Sequence, residues 1–160
     1  YMRGAYPDEF RELVEYYAAE YEFDPSLIFA LIHTESGFDP TAVSSAGAMG
    51  LMQMTPDTFE WAQYRALTEE TLPADALLDP RTNINYGIYV LYLLRERYAD
   101  TGTMLAAYNA GMGNVDAWLA DSRYSEDGET LIEIPFGETA RYVEKIPKAQ
   151  AMYRELYDIA

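Results

Sequence analysis

Apolar positions recur at helical spacing through most of the chain. Phe10, Leu13, Val14, Tyr17, Ala18 and Tyr21 follow Pro7 at intervals that predict a first amphipathic helix. Leu27 to Ile32 is almost unbroken in its hydrophobicity. It lies between Asp24-Pro25, a cap followed by a proline at the first helical position, and Gly37, a left-handed stop. This predicts a helix over 24–36, buried on most of its circumference. Thr55-Pro56 and Asp79-Pro80 repeat the start signal. The first opens a helix to about Ala66 with Phe59 and Ala62 facing inward. The second opens a long one carrying Ile84, Ile88, Leu91 and Tyr98 and ending near Ala99. Thr68 to Leu78 reads as a loop.

Further along, Thr103 is expected to cap a short helix ending at Ala110, and Asn114 another through about Ala120. A short helix is also expected around Ala46–Gln53. From Asp121 to Gly137 the periodicity is lost. The Asp127-Gly128 turn signal and a loose alternation over Thr130–Ile134 suggest a small β-hairpin near 124–134. Glu138–Ile146 and Pro147–Asp158 read as two closing helices with the proline at their junction. The pattern amounts to a mainly α single domain over 1–160, of about seven to nine helices.

One polar residue sits awkwardly in this pattern. Glu35 falls three, four and seven places after Ile32, Leu31 and Ile28, on the last turn of the most apolar helix. Burial and the negative end of the helix dipole both disfavour an ionised carboxylate there. The expectation is a pKa above the ordinary value of about 4.3, suited to a general acid. A buried glutamate satisfied by an arginine or a backbone group is the alternative reading of the same position. The segment that follows, Ser44-Ser45-Ala46-Gly47-Ala48-Met49-Gly50-Leu51-Met52-Gln53, is rich in small residues and closes on an amide with two donors and an acceptor. Such a segment suits the wall of a narrow groove.

These residues carry a resemblance. Glu35-Ser36-Gly37-Phe38-Asp39-Pro40, then Ser44, then Gly50-Leu51-Met52-Gln53-Met54-Thr55-Pro56 resemble the signature of the soluble lytic transglycosylase domain, a lysozyme-like fold acting on peptidoglycan. Ala106-Ala107-Tyr108-Asn109-Ala110-Gly111 is similar to a second motif of that family. There a short helix broken by Gly111 and Gly113 lets Tyr108 and Asn109 project into a cleft, although a tyrosine packed in the core is the commoner arrangement. Ile134-Pro135-Phe136-Gly137-Glu138-Thr139 with Tyr142-Val143 resembles a third. The arginine usual after the threonine is replaced by Ala140, with Arg141 one place on.

By that resemblance Glu35 is the catalytic residue, and Ser44, Gln53, Thr55, Tyr108, Asn109, Glu138 and Tyr142 bind substrate. Thr55 stands where many relatives carry methionine, and Glu138 also fits as a first-turn acid favoured by the helix dipole. Ser36, beside the acid, reads either as its orienter or as an ordinary helix-end serine. Asp39 reads as a loop cap beside Pro40, and His33 is given no role.

Composition narrows the picture. The 160 residues include 11 Lys plus Arg against 27 Asp plus Glu, a net charge of −16, spread along the sequence as on solvated helix faces. A phosphate backbone would repel such a chain, so nucleic acid is not an expected partner. One histidine and no cysteine argue against a metal site, and no cofactor is called for. No run is long enough to insert in a membrane, and no signal-peptide pattern is present. By the resemblance, the expected partner is the glycan strand of peptidoglycan, met outside the cytoplasm by a monomer. An export signal or anchor is then expected outside these residues.

The chemistry implied is unusual for a glycosidase, which ordinarily sets two carboxylates about the scissile bond. Between Asp39 and Asp57 there is no acidic residue. Goose-type lysozymes, the hydrolytic relatives, carry extra acids in the corresponding segment. The resemblance therefore implies non-hydrolytic cleavage between N-acetylmuramic acid and N-acetylglucosamine, with Glu35 serving as acid and then base. A hydrolytic muramidase and a catalytically silent wall-binding module are the rival readings.

Overall fold

The structure, a computed structural model, describes residues 2–158. Its helices are α1 (Met2–Ala5), α2 (Arg11–Glu20), α3 (Pro25–Ser36), α4 (Pro56–Arg65), α5 (Pro80–Arg97), α6 (Thr101–Ala110), α7 (Met112–Leu119) and α8 (Gly137–Tyr157), with one 3-10 helix over Ala74–Leu78. Among the described residues strand pairing is limited to isolated bridges. The chain forms two compact units, one of residues 1–90 and 148–160, the other of residues 91–147.

In the first unit α3 is the buried element. Every side chain from Ser26 to Ile32 is buried, and six of them, all but Leu27, have no exposed surface. Both ends are made as the sequence predicts. Asp24 Oδ1 accepts from the Ser26 N–H at 2.9 Å, and Gly37 takes a φ of 60° while its N–H donates to the His33 carbonyl. Val14, Tyr17 and Ala18 of α2 pack with α3. Phe59 and Ala62 of α4 are buried in the same unit, with Phe59 edge-on to Tyr86, and Tyr153 near the end of α8 is fully buried. The Tyr153 ring stacks on Phe29 at 5.3 Å and its hydroxyl donates to the Pro7 carbonyl. His33 holds the N-terminal segment, lying 4.8 Å over Tyr6 with Nε2 2.9 Å from the Ala5 carbonyl oxygen.

Asp24 also meets Arg154 across this unit. Burial works against its charge, but hydrogen bonds from Ser26 and Arg154 outweigh burial and hold its carboxyl below the ordinary 3.8. A depressed pKa gives stability that is complete above pH 3.8 and fades as pH falls through the lower folded value. Asparagine keeps the cap and loses the ion pair. Wild type should therefore melt above Asp24→Asn near neutrality, by less than about 1 kcal/mol because Arg154 is half exposed. The gap should close in thermal melts below pH 3.8.

In the second unit α6 packs on α7, burying Met104 to Ala107, Val115 and Trp118 with Leu91, Leu93 and Leu94 of α5. Tyr98 closes this core, its hydroxyl 2.6 Å from Asp116 Oδ1. Burial and that acceptor push its phenol up to about 12. Segment 121–136 is irregular. Asp127 Oδ1 accepts from the Glu129 and Thr130 N–H groups and Gly128 has φ 74°, so the turn is present, but the expected hairpin shrinks to one bridge between Ser125 and Leu131.

Four local expectations are corrected. Asp100, not Thr103, caps α6, because its carboxylate reaches the Thr103 N–H at 2.9 Å while the Thr103 side chain is buried. Gly111 precedes α7, and Asn114 sits inside it with Nδ2 donating to the Ala110 carbonyl. The Thr68–Leu78 loop contains the 3-10 turn. The two closing helices are one, α8, with Pro147 inside it. A proline interrupts one backbone hydrogen bond, at a cost of about 3 kcal/mol. Ile146, Ala149 and Tyr153 are buried on either side of it, and their packing keeps the helix continuous.

Candidate active site

Glu35 lies on the last turn of α3, half-buried, in line with Ile28, Leu31 and Ile32, none of which has any exposed surface. The helix end is fastened by Ser36, whose hydroxyl donates to the Leu51 carbonyl at 2.7 Å. Ser36 is thus a strut between the acid's helix and the following loop. Asp39 is the loop cap expected of it, Oδ1 accepting from the N–H and hydroxyl of Thr41 at 2.9 Å each.

The loop from Ala42 to Met54 is not the short helix expected around Ala46–Gln53. Gly47, Gly50 and Gln53 all have positive φ, so the chain keeps reversing, with bridges from Met49 to Val43 and to Met54. A Cβ on Gly50 would collide with the Asn83 amide and the Leu77 carbonyl, so only glycine fits there. Ser44 Oγ accepts from the Ala48 N–H at 3.0 Å, which leaves its hydroxyl proton to donate. Gln53 Nε2 donates to the carbonyls of Ala42 at 3.2 Å and Gly50 at 3.0 Å. With its donors used inside the loop, Gln53 presents Oε1 as an acceptor. Thr55 is the cap of α4: its hydroxyl accepts from the Thr58 N–H and donates to the Thr58 hydroxyl.

One residue that matters to this loop escaped the sequence reading. Asn83, with no exposed surface, accepts from the Met52 N–H at 2.8 Å and donates to the carbonyls of Met49 and Leu77, each at 2.9 Å. A signal for it existed. Asn83 lies on the same helical stripe as Ile84, Gly87, Ile88 and Leu91, all buried, and a polar residue on such a stripe must have partners.

The remaining candidates belong to the second unit. Tyr108 and Asn109 are half-buried on the last turn of α6, which Gly111 ends with φ 92°. Glu138 is exposed in the first turn of α8, and Tyr142, one turn on, is buried to 5%. Thr139 between them is 2% exposed, and its hydroxyl donates to Asn109 Oδ1 at 2.7 Å. Two motifs distant in sequence are thereby joined. Phe136, just before α8, is fixed edge-on against Trp118 at 4.9 Å. The structure thus gathers Ser44 and Gln53 on one loop beside the end of α3, and brings Asn109 against the first turn of α8.

With this geometry in view, a family model described as the transglycosylase SLT domain matches residues 12–131. The chain belongs to this family. The soluble lytic murein transglycosylase of Escherichia coli K12 is 33% identical over 156 residues, which cover 96% of this chain and 24% of that protein. The membrane-bound lytic murein transglycosylase C of Histophilus somni is 34% identical over 163 residues, 89% of this chain and 45% of that protein. The crystal structure of the 70 kDa soluble lytic transglycosylase of E. coli superposes with a TM-score of 0.84 at 30% identity, over 96% of this chain and 25% of that one. This chain therefore spans a quarter to a half of the relatives it matches. The mainly helical, lysozyme-like fold expected from the sequence is the fold of this SLT domain. No described helix is long and apolar enough to cross a membrane, and no described cluster of three acids or histidines could hold a metal.

Proposed function

We propose that this SLT domain, residues 1–160, is the catalytic domain of a peptidoglycan lytic transglycosylase. The observation that carries the reading is a single half-buried carboxylate, Glu35, closing the most buried helix of a chain in this family. The following segment, Pro40 to Pro56, offers no second acid. The names of the relatives, soluble and membrane-bound lytic murein transglycosylases, support the substrate class.

Glu35 donates its proton to the glycosidic oxygen between N-acetylmuramic acid and N-acetylglucosamine as the anomeric C–O bond breaks. The oxocarbenium charge is taken up by the carbonyl oxygen of the muramyl acetamido group. Glu35, now a carboxylate, removes the proton from the C6 hydroxyl of the same residue. That oxygen attacks the anomeric carbon and the acetamido group departs. Glu35 ends protonated, the muramyl end is a 1,6-anhydro sugar, and no water is consumed.

Ser44 serves as a hydroxyl donor and Gln53 as an amide acceptor for substrate acetamido groups, the roles their own hydrogen bonds leave open. Tyr108, Asn109, Glu138 and Tyr142, in the second unit, are further proposed substrate-binding residues. Thr55, whose hydroxyl also caps α4, belongs to the same proposed set. The domain acts outside the cytoplasm as a monomer.

Digestion of purified sacculi tests this reading. Mass spectrometry should find soluble muropeptides with 1,6-anhydro ends. Reducing muramyl ends would establish a muramidase instead, and binding without release would establish a wall-binding module.

A further inference from the structure

The structure ties Asn109, at the end of α6, to Thr139, in the first turn of α8, and this bond constrains what Asn109 can do. A primary amide has two faces of opposite character: an oxygen that accepts and a nitrogen that donates twice. Free in solvent, the group rotates and offers either. Here Thr139 is 2% exposed and its hydroxyl lies 2.7 Å from Asn109 Oδ1. A hydroxyl buried so completely needs a partner, and donation to this oxygen supplies it. The amide oxygen is thereby turned toward α8. Asn109 itself is half-buried, so the NH₂ face of its amide remains for a ligand.

We propose that Thr139 is a positioning residue that locks Asn109 as an N–H donor toward an oxygen of the substrate. Resting on the reading of Asn109 as substrate-binding, the assignment names the ligand atom: a carbonyl or hydroxyl oxygen of an N-acetylated sugar, never an amide N–H. It also gives a physical reason for the third motif to carry threonine at this place. The preceding Glu138 faces solvent, while Thr139 faces the helix that bears the second motif.

The test uses the purified chain and soluble glycan strands from peptidoglycan, with KM, kcat and melting temperature recorded for each variant. Thr139→Val keeps shape and removes the hydroxyl. It should raise KM roughly threefold to tenfold with kcat unchanged, the weight of one neutral hydrogen bond. Thr139→Ser should restore KM. Asn109→Asp still accepts from Thr139 but has lost the donor, so its KM should rise at least as far. On an Asn109→Ala background, Thr139→Val should raise KM no further. A lowered melting temperature with unchanged KM in Thr139→Val would reduce the contact to packing and overturn the proposal. Additive losses in the double variant, or wild-type binding by Asn109→Asp, would also overturn it. If Asn109→Ala cuts with unaltered KM, Asn109 does not touch substrate and the proposal falls with that assignment. A wild-type chain that yields no anhydro product at all fails on the activity itself, which is a separate outcome.

Discussion

Glu35→Gln is expected to release soluble muropeptides at least roughly 10²–10⁴-fold more slowly than wild type, the usual worth of general acid–base catalysis. Glutamine matches glutamate in size and can neither protonate the glycosidic oxygen nor remove the C6 proton. Both transfers are lost together, so the true loss should lie toward the upper end of that range or beyond it. The variant should still co-sediment with sacculi, because the groups proposed to hold the sugars are untouched. A thermal melt should show the variant folded. Initial rates on sacculi, co-sedimentation and a thermal melt separate these effects. Retention of a tenth or more of the wild-type rate would remove Glu35 from the chemistry.

Asn83→Ala should be the most damaging single change away from the acid. The fully buried Asn83 amide accepts from the Met52 N–H and bridges the carbonyls of Met49 and Leu77 in the first unit. Truncation takes the amide partner from the Met52 N–H and the Leu77 carbonyl, and one of two donors from the Met49 carbonyl, which keeps the Met54 N–H. A buried polar group that loses its partner costs about 1–3 kcal/mol. A loss of about 2 kcal/mol or more follows, a fall of roughly 4–8 °C in melting temperature for a chain of this size. Asn83→Asp keeps the acceptor for Met52 and replaces the donor by an oxygen facing two carbonyls, so it should not rescue. Thermal melts of the two variants decide the matter. A fall of under about 1 kcal/mol in Asn83→Ala would mean that the loop holds its shape without this brace.

Most of the helical framework was legible in the sequence because its signals are local. Asp24-Pro25, Thr55-Pro56 and Asp79-Pro80 each begin a helix where the proline fits and the preceding side chain accepts from the backbone. Gly37 ends α3 for the single reason that φ must be positive there. The errors share a different cause. Around Ala46–Gln53 the composition permits a helix, but bonds from Asn83, thirty places away, and the reversals at Gly47 and Gly50 decide otherwise. At Pro147 the local rule predicts a break, and burial of Ile146 and Tyr153 overrides it.

For the candidate site, the local hydrogen bonding of each side chain was less legible than its place on a helix or loop. Gln53 offers two donors and an acceptor by its chemistry, and only the fold shows that the loop uses the donors. Thr55 caps α4, as the Thr55-Pro56 start signal predicts. Asn109 was chosen by its motif, while the residue that fixes its orientation, Thr139, is thirty positions away in sequence and shows only in the fold. Side-chain commitments of this kind depend on which neighbours arrive, and periodicity carries no record of them.

The central claim is that one carboxyl group serves both proton transfers and that the nucleophile is the substrate's own C6 oxygen. Sacculi digested in ordinary water and in ¹⁸O-enriched water test it most directly. The account predicts anhydro-ended muropeptides of identical mass in the two solvents, since no oxygen enters from water. New ends that carry one ¹⁸O atom each would show that water is the attacking group, and would contradict it.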